Sequence, residues 1–482
     1  MAQRTMAAVD LGAESGRVML ARFDGQRLSL QEVHRFPNRA VRLRGHRFWN
    51  MLALWDETLT GLRKAHQLVG PLDSIGVDTW GIDYGLVDAR GFLLSQPFQY
   101  RDHRTDGMIE QVCARVSREA IYERTGIQFL PINTLFQLYA HEQMYSGQLA
   151  QAHRLLMIPD LLHSWLCGEL VSERTNASTT QCWNPVAGAW ATDLLDQLGL
   201  PTSMLPPVVE PGTPLGRVLP EWRDELGNVQ VIAPATHDTG AAIAAIPVAS
   251  PDGWGYISSG TWSLVGAELP RPVITAEALV DNYTNEGGVF ATTRFLKNVM
   301  GLWLLQECMR CWANAGHAMD YETLLADVDS VPAFVALINP DDPHFLAPTD
   351  MPTAINTYLR EHHQPILQTP AAFARCIMES LVLRYCEVLG RISRFTATPI
   401  TSVYVVGGGA RNARLNQWLA DALGVPVIAG PFEATALGNA LMQLVGLGEL
   451  RTLVEVRAIA QRTTTQLYEP DSTRFAVWQE KM

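Results

Sequence analysis

The sequence lacks any stretch long and apolar enough to cross a membrane as a helix. Its nearest candidate, Val231 to Ser250, contains His237 and Asp238 and is interrupted by Pro234 and Pro247. A span needs roughly 18 uninterrupted apolar residues, so none is expected. The first ten residues, MAQRTMAAVD, hold one arginine, a short apolar stretch and an aspartate, and are not expected to form a secretory leader. Positive charge is scarce: 37 Lys and Arg stand against 49 Asp and Glu, a net −12 at pH 7. That balance disfavours non-specific binding of nucleic acid, although a local pocket can still hold an anion. Cysteine is sparse too. Seven residues, an odd number scattered along the chain, read as reduced thiols of a cytoplasmic protein. Cys308 and Cys311 have C-x-x-C spacing but no second pair to complete a zinc site, and read as two thiols on one helix. The 37 glycines and 28 prolines follow no triplet period, which excludes collagen, and 47% hydrophobic residues exclude a disordered chain.

Several familiar motifs are also missing. There is no G-x-x-x-x-G-K-[ST] loop, no G-x-G-x-x-G fingerprint, no H-E-x-x-H and no G-x-S-x-G. Isolated histidines such as His34 and His163 read as ordinary structural residues. No low-complexity segment or exact internal repeat is visible.

What remains is a mixed α/β pattern over 482 residues, enough for two large domains or three smaller ones. Strands are expected at Met6–Val9, Val18–Phe23, Leu28–Phe36, Leu72–Val77 and Ile82–Asp88, with a helix over Trp49–Leu68. Glycines followed directly by another strand make a hairpin, not a strand–helix unit. Pro201 to Pro220, with six prolines, reads as loop. Later come strands at Val229–Ala233, Gly255–Ser258, Val403–Val406 and Val425–Ile428, and a turn over Pro251–Gly255. Helices are expected over 370–398, Leu415–Leu423 and Ala434–Val445. DLGAESGR near residue 10 and SSGTWS near residue 260 are each an apolar strand running into a turn of small residues. They suggest two domains of similar architecture facing each other across a cleft.

Five segments could carry chemistry. In Asp10–Arg17, small residues let backbone N–H groups approach phosphate oxygens while Asp10 holds Mg²⁺ through water; equally, this is a hairpin closed by an Asp–Arg pair. Ile75–Gly85 sets two acids and an indole between strands, as a pocket lining or as a turn with Trp80 in the core. Tyr100–Thr105 is a polar run or a charged helix start. In Ala235–Ala241, Asp238 stands after an apolar strand and before a small-residue helix, placed as a general base or simply as a helix cap. Ser258–Ser263 and Val403–Asn412 add a second phosphate-type turn and three glycines that let a flat ligand approach.

Taken together, VDLGAESGRVMLARF, SIGVDTWGIDYGL, YRDHRTDGM, RTGIQFLPINTLFQL, LLMIPDLLHSWLCGE, TNASTTQ, THDTGAA, SSGTWSL, TNEGG, KNVMGLWLLQ, VVGGGARN and AGPFEATALGNA resemble, in order and over nearly the whole chain, the FGGY family of carbohydrate kinases. The resemblance implies a two-domain actin-like ATPase fold with ribonuclease-H-like mixed sheets and an interdomain cleft. It implies an N-terminal domain over 1–245, a C-terminal domain over 246–450, and a tail, 451–482, packing back on the first domain. It further implies the reaction ATP + L-rhamnulose → ADP + L-rhamnulose 1-phosphate, with domain closure excluding water. Asp238 would be the proton acceptor. Gly81, His237, Asp238, Thr239 and Asn298 would contact the sugar. Ala13, Glu14, Ser15, Gly16, Arg17, Thr261, Gln306 and Gly409 would bind ATP, and Asp10 would anchor Mg²⁺ indirectly. Relatives often carry Ser where this chain has Glu14. Trp80 and Phe129 are candidates for an apolar wall at the sugar's C6 methyl, or for core. The expected partners are a small sugar and ATP, with no nucleic acid and no membrane, in a monomeric or weakly dimeric cytoplasmic enzyme. Kinases of the same family for fuculose, xylulose or glycerol, an actin-like filament and a ligand sensor are the other readings.

Overall fold

The computed structural model describes residues 2–248, 252–346 and 348–481. The start of the turn expected at Pro251 lies outside the described residues. In chain order, the elements that position the site begin with strands β1 (Arg4–Leu11), β2 (Ser15–Phe23) and β3 (Leu28–Pro37), helix α1 (Met51–Val69) and strand β4 (Ser74–Thr79). Next come helix α2 (Ile158–Cys167), strands β5 (Thr213–Arg217) and β6 (Gln230–Ala233), and helix α3 (Asp238–Ala244). They are followed by strands β7 (Trp254–Ser259), β8 (Trp262–Leu269), β9 (Thr284–Gly287) and β10 (Thr293–Met300). The remainder are helices α4 (Trp303–Asn314) and α5 (Pro370–Thr396), strand β11 (Ser402–Val406), helix α6 (Ala413–Leu423), strand β12 (Val427–Ala429), helix α7 (Ala434–Gly446) and strand β13 (Gln466–Tyr468).

These elements form two compact units. The first comprises Met1–Val248, Glu268–Phe295 and Glu433–Thr463; the second comprises Ala249–Ala267, Leu296–Phe432 and Thr464–Met482. The units are therefore interleaved in sequence. Helix α7, read as part of a continuous second domain, belongs to the first unit. The end of the tail, expected on the first domain, belongs to the second, because β13 pairs antiparallel with β12.

The first unit is built on a six-stranded sheet of order β5-β6-β4-β1-β2-β3. β1 and β2 form the expected hairpin, with Asp10 opposite Arg17. β4 runs parallel to β1, and β6 parallel to β4. The segment read as loop contributes β5, which includes Pro214. It is tolerated because β5 is an edge strand and the register shifts between Pro214 and Gly216. The second unit repeats the plan. β7 and β8 form an antiparallel hairpin, and β11 runs parallel to β7 and β12 parallel to β11.

Strand alternation decides what each face of the first sheet meets. Ala7, Val9 and Leu11 of β1, Ile75 and Val77 of β4, and Val231 and Ala233 of β6 join one apolar core with Leu54, Leu59 and Leu62 of α1 and Leu161, Leu162 and Leu166 of α2. α1 lies close on β2 because Gly61 has no side chain; a Cβ there would come within 2.3 Å of Val18 Cγ2. Ala8 faces the other way and packs with Ala436 of α7. On that second face the helix sends polar groups into the sheet. Gln443 accepts from Ser74 Oγ at 2.7 Å and donates to the Ala7 carbonyl at 3.0 Å and to Asn439 Oδ1 at 2.7 Å. Asn439 donates to Asp78 Oδ2 at 2.6 Å. Gly76 makes room for both; its Cβ would lie 2.8 Å from Asn439 Oδ1 and 2.9 Å from Gln443 Nε2.

α7 also crosses α3 at Gly438, where a Cβ would fall 1.8 Å from the Ala241 carbonyl oxygen. Gly438→Ala is therefore expected to destabilise the protein by about 3 kcal/mol, since two backbones must separate. Gly390 is exposed within α5, and a Cβ there would have no other atom within 4 Å. Gly390→Ala should instead stabilise by about 0.5–1 kcal/mol through helix propensity. Urea unfolding of the two variants beside the parent protein checks both signs.

Candidate active site

Three neighbouring strands of the first sheet carry an acid one residue from their end or lead within a few residues to one. Asp10 near the end of β1 lies in register with Asp78 of β4. Past β6 the chain continues the parallel alignment, with Thr79 bridged to His237 and its N–H bonded to the Thr236 carbonyl at 2.9 Å, so that Asp238 follows at once. The carboxyl ends of parallel strands are where ligands bind in such sheets.

Each acid has a different environment. Asp10 Oδ2 accepts from Arg17 Nε at 2.9 Å and Nη2 at 2.7 Å, as the Asp–Arg pair of the hairpin reading requires. Arg17 also meets Glu433, just before α7. Burial opposes its charge, but Asp10 and Glu433 outweigh it and raise its pKa above the ordinary value. Asp78 is fully buried, and its Oδ1 has no hydrogen-bond partner. Burial first, and then the charge of Asp10, hold its carboxyl well above the ordinary range, against the hydrogen bond from Asn439. Asp238 opens α3 with 31% of its side-chain surface exposed. Burial and then the charge of Asp10 push its carboxyl up to about 7.

The two oxygens of Asp238 differ. Oδ1 accepts the Thr239 N–H and, at 3.2 Å, the Thr239 hydroxyl, and lies 3.4 Å from His237 Nε2. Oδ2 remains the oxygen available for a proton. His237 is buried, its N–H donating to Thr175 Oγ1 at 3.1 Å. Beneath it Glu173 Oε2 accepts from the N–H and the hydroxyl of Thr236, each at 2.8 Å.

Among the residues expected to bind phosphates, the side chains of Glu14 and Ser15 are exposed. The turn is closed by Gly12 N–H to the Ser15 carbonyl at 2.8 Å, and Asn38 braces it by bonding the Glu14 and Gly12 carbonyls. Gly16 has a packing reason of its own: its Cβ would strike Phe36 Cε2 at 2.4 Å. Ala13 packs partly against the core. Gly81 sits where a Cβ would come 2.9 Å from Thr179 Oγ1, and the following Ile82 has φ +67°, an unusual conformation for a β-branched residue. That pair of constraints shapes the loop around Asp83, whose carboxylate accepts from Trp49 Nε1 at 2.6 Å, Trp80 Nε1 at 3.1 Å, Gln137 Nε2 at 2.9 Å and the Tyr100 N–H at 3.2 Å. Trp80 packs on Trp49, and Phe129 is buried with Arg118 over its ring at 4.1 Å. The Tyr100–Thr105 run is a bracing segment: Asp102 caps a short 3₁₀ turn and accepts the Arg47 N–H at 2.7 Å, while Arg104 reaches Gln137.

In the second unit, Thr261 occupies the β7–β8 turn. Its hydroxyl reaches Gln306 Oε1 of α4 at 3.4 Å, and its carbonyl accepts the N–H groups of Gly301 and Trp303. Asn298 lies partly buried on β10. The three-glycine turn has an internal cause. Gly407 has φ +79°, and a Cβ on Gly409 would overlap Ser259 Oγ at 2.0 Å; Gly408 is exposed, and its Cβ would lie 4.0 Å from the Ser259 carbonyl oxygen. All seven cysteines are unpaired, with Cys308 and Cys311 on α4 as expected. Among the described residues no helix is long and apolar enough to cross a membrane.

Residues 5–244 match the model of the FGGY family of carbohydrate kinases, N-terminal domain, and residues 255–447 that of its C-terminal domain. The chain belongs to the FGGY family of carbohydrate kinases. It is 47% identical over 460 residues to a rhamnulokinase of Pectobacterium atrosepticum, covering 95% of this chain and 91% of the relative. It is 42% identical over 474 residues to a rhamnulokinase of Bacteroides thetaiotaomicron, covering 98% and 96%. Its fold resembles that of a gluconate kinase from Lactobacillus acidophilus, with TM-score 0.82, 16% identity, and 99% and 96% of the two chains covered. A Plasmodium falciparum glycerol kinase with ADP gives TM-score 0.78 at 13% identity, covering 99% and 97%. The FGGY kinase fold, two domains with mixed sheets of the actin-like ATPase kind, is thus the fold of this chain.

Sequence reading named Asp10 and Asp238 but gave no separate role to Asp78. The signal was present, as an acid one step before the end of an otherwise apolar strand. Because burial and Asp10 disfavour its charge, Asp78→Asn should raise the melting temperature of the metal-free protein by about 2 °C or more at pH 8. A carboxyl whose pKa is raised by folding destabilises the fold once it ionises, so the gain should shrink towards pH 5. Scanning fluorimetry at the two pH values measures it.

Proposed function

We propose that this protein transfers the γ-phosphoryl group of ATP to O1 of L-rhamnulose, forming L-rhamnulose 1-phosphate and ADP. The observation that carries the reading is the near full-length similarity to relatives named rhamnulokinase, at 39–47% identity. The site geometry supports it, because Asp238 is a carboxylate poised near neutrality with one oxygen anchored and the other open.

In this reading Asp238 Oδ2 accepts the proton of the O1 hydroxyl as O1 bonds to the γ-phosphorus and the bond to the ADP oxygen breaks. Gly81, His237, Thr239 and Asn298 contact the sugar. The Ala13–Arg17 turn, with Glu14, Ser15 and Gly16, offers backbone N–H groups to phosphate. Thr261, Gln306 and Gly409 are the remaining ATP-contacting residues. Mg²⁺ fits the acids of the first sheet: Asp78 Oδ1 is buried without a partner, and Asp10 and Asp238 add negative charge beside it. Asp10 would hold the ion through water, and the bound ion would neutralise charge gathering on the phosphates. A reaction drawing on ATP and a free sugar places the protein in the cytoplasm.

The direct test is ADP release with Mg²⁺-ATP and a panel of L-rhamnulose, L-fuculose, D-xylulose and glycerol. The highest kcat/KM is expected for L-rhamnulose; a clear preference for another member reassigns the substrate. Asp238→Asn should lower kcat by about 10²–10⁴-fold with a much smaller change in sugar KM, and retention of more than about a third of kcat would remove Asp238 as the base. A base must be ionised to accept a proton, so kcat/KM should fall about tenfold per pH unit below about 7 and level off above it. A bound divalent cation favours the carboxylate, so the corresponding limb of kcat should lie at lower pH.

A further inference from the structure

His237 has two ring nitrogens, and the residues around it decide which carries the proton. Arg294 of β10 is fully buried. Its Nε donates to the Gly287 carbonyl at 2.9 Å, its Nη1 lies 3.1 Å from Glu286 Oε2 of β9, and its Nη2 lies 2.9 Å from His237 Nδ1. A guanidinium has five N–H donors and no acceptor. The nitrogen facing it must therefore present a lone pair, and the proton of a neutral ring is left on Nε2, on the side of Asp238 Oδ1 at 3.4 Å. Glu286 makes the choice consequential. Its Oε2 is also 3.4 Å from Nδ1, so without the guanidinium a proton on Nδ1 would find an acceptor there. Arg294, Glu286 and Asp238 are the charged groups facing the ring. Burial, and then the charge of Arg294, hold its pKa well below the ordinary histidine value.

We propose that Arg294, anchored by Glu286, is a positioning residue that locks His237 as the Nε2–H tautomer. The ring then serves only as a donor towards Asp238 Oδ1 and the sugar, and leaves Asp238 Oδ2 as the basic oxygen. The functional half of this inference rests on the reading of Asp238 as the base; the tautomer does not. Sequence reading gave Arg294 no role, because nothing in TTRFLKNVM links it to a histidine 57 residues earlier.

The test uses the full-length protein with ¹⁵N-labelled histidine. Long-range ¹H–¹⁵N spectra, with His237→Gln to identify the resonance, should show a neutral Nε2–H ring from pH 5.5 to 8. A ring protonated on Nδ1 overturns the proposal without recourse to any Arg294 variant. Arg294→Met leaves Glu286 buried and unpaired, so the double variant R294M/E286Q is the safer fold. It should lose the fixed tautomer and about 30-fold in kcat/KM for L-rhamnulose, the loss of a charge-assisted hydrogen bond, with KM for ATP unchanged within about twofold. Arg294→Lys, which restores a donor, should recover the tautomer and at least part of kcat/KM. A folded double variant that keeps the Nε2–H ring, or keeps sugar kcat/KM within about threefold, overturns the positioning role. If the wild-type tautomer is as stated and no sugar is phosphorylated, the functional reading fails and the tautomer assignment stands.

Discussion

The burial of Asp78 and Asp238 beside Asp10 at the ends of neighbouring parallel strands is the constraint to which the rest of the first unit answers. A parallel sheet brings successive strand ends side by side, so acids placed there share one low-dielectric region whether or not a ligand is present. Arg17 pairs with Asp10 and is itself shared with Glu433, while burial, and then the charge of Asp10, raises the pKa values of Asp78 and Asp238. Such a site is destabilised until a cation or a transferred proton relieves it, and both are what phosphoryl transfer to a hydroxyl supplies.

The packing around the acids works to hold them there. Helix α7 carries Asn439 and Gln443 one turn apart, and these meet Asp78, Ser74 and the β1 backbone. That approach needs bare backbone on the strand, at Gly76, and on the helix, at Gly438, where α3 crosses it. The same helix therefore braces β4, which bears Asp78, and α3, which begins with Asp238. Behind α3, Glu173 fixes Thr236, and Arg294 fixes His237. Asp238 is thus framed by groups that are themselves buried and bonded, an arrangement that would keep the proposed base in one orientation.

The second unit uses the same hairpin-and-parallel-strand plan with different residues at its strand ends. Where β1 carries Asp10 one residue from its end, β7 ends on Ser259, and the neighbouring strand leads into glycines packed on that serine. Neutral turns of this kind suit contacts with a nucleotide, whereas charged strand ends suit proton and metal chemistry. The divergence of two similar architectures follows from the side chains at a handful of strand termini.

Much was legible in the sequence because it was local. Short apolar runs and small-residue turns identified β1, β2, β4, β7 and β11. The ordered motifs led to the FGGY family, and the acid after an apolar strand marked Asp238 as a candidate base. Tertiary structure alone decided the rest, since it depends on residues far apart in the chain. Pro214 lies in a strand because that strand is at an edge. α7 belongs with the first unit because Asn439 and Gln443 are complementary to a strand more than 360 residues away. Asp78 is an acidic neighbour of Asp238 only through sheet register, and His237 Nδ1 meets an arginine 57 residues further along the chain. Local pattern determines which elements form and where small or acidic residues end them; long-range packing determines which charges meet, and so which groups can transfer a proton.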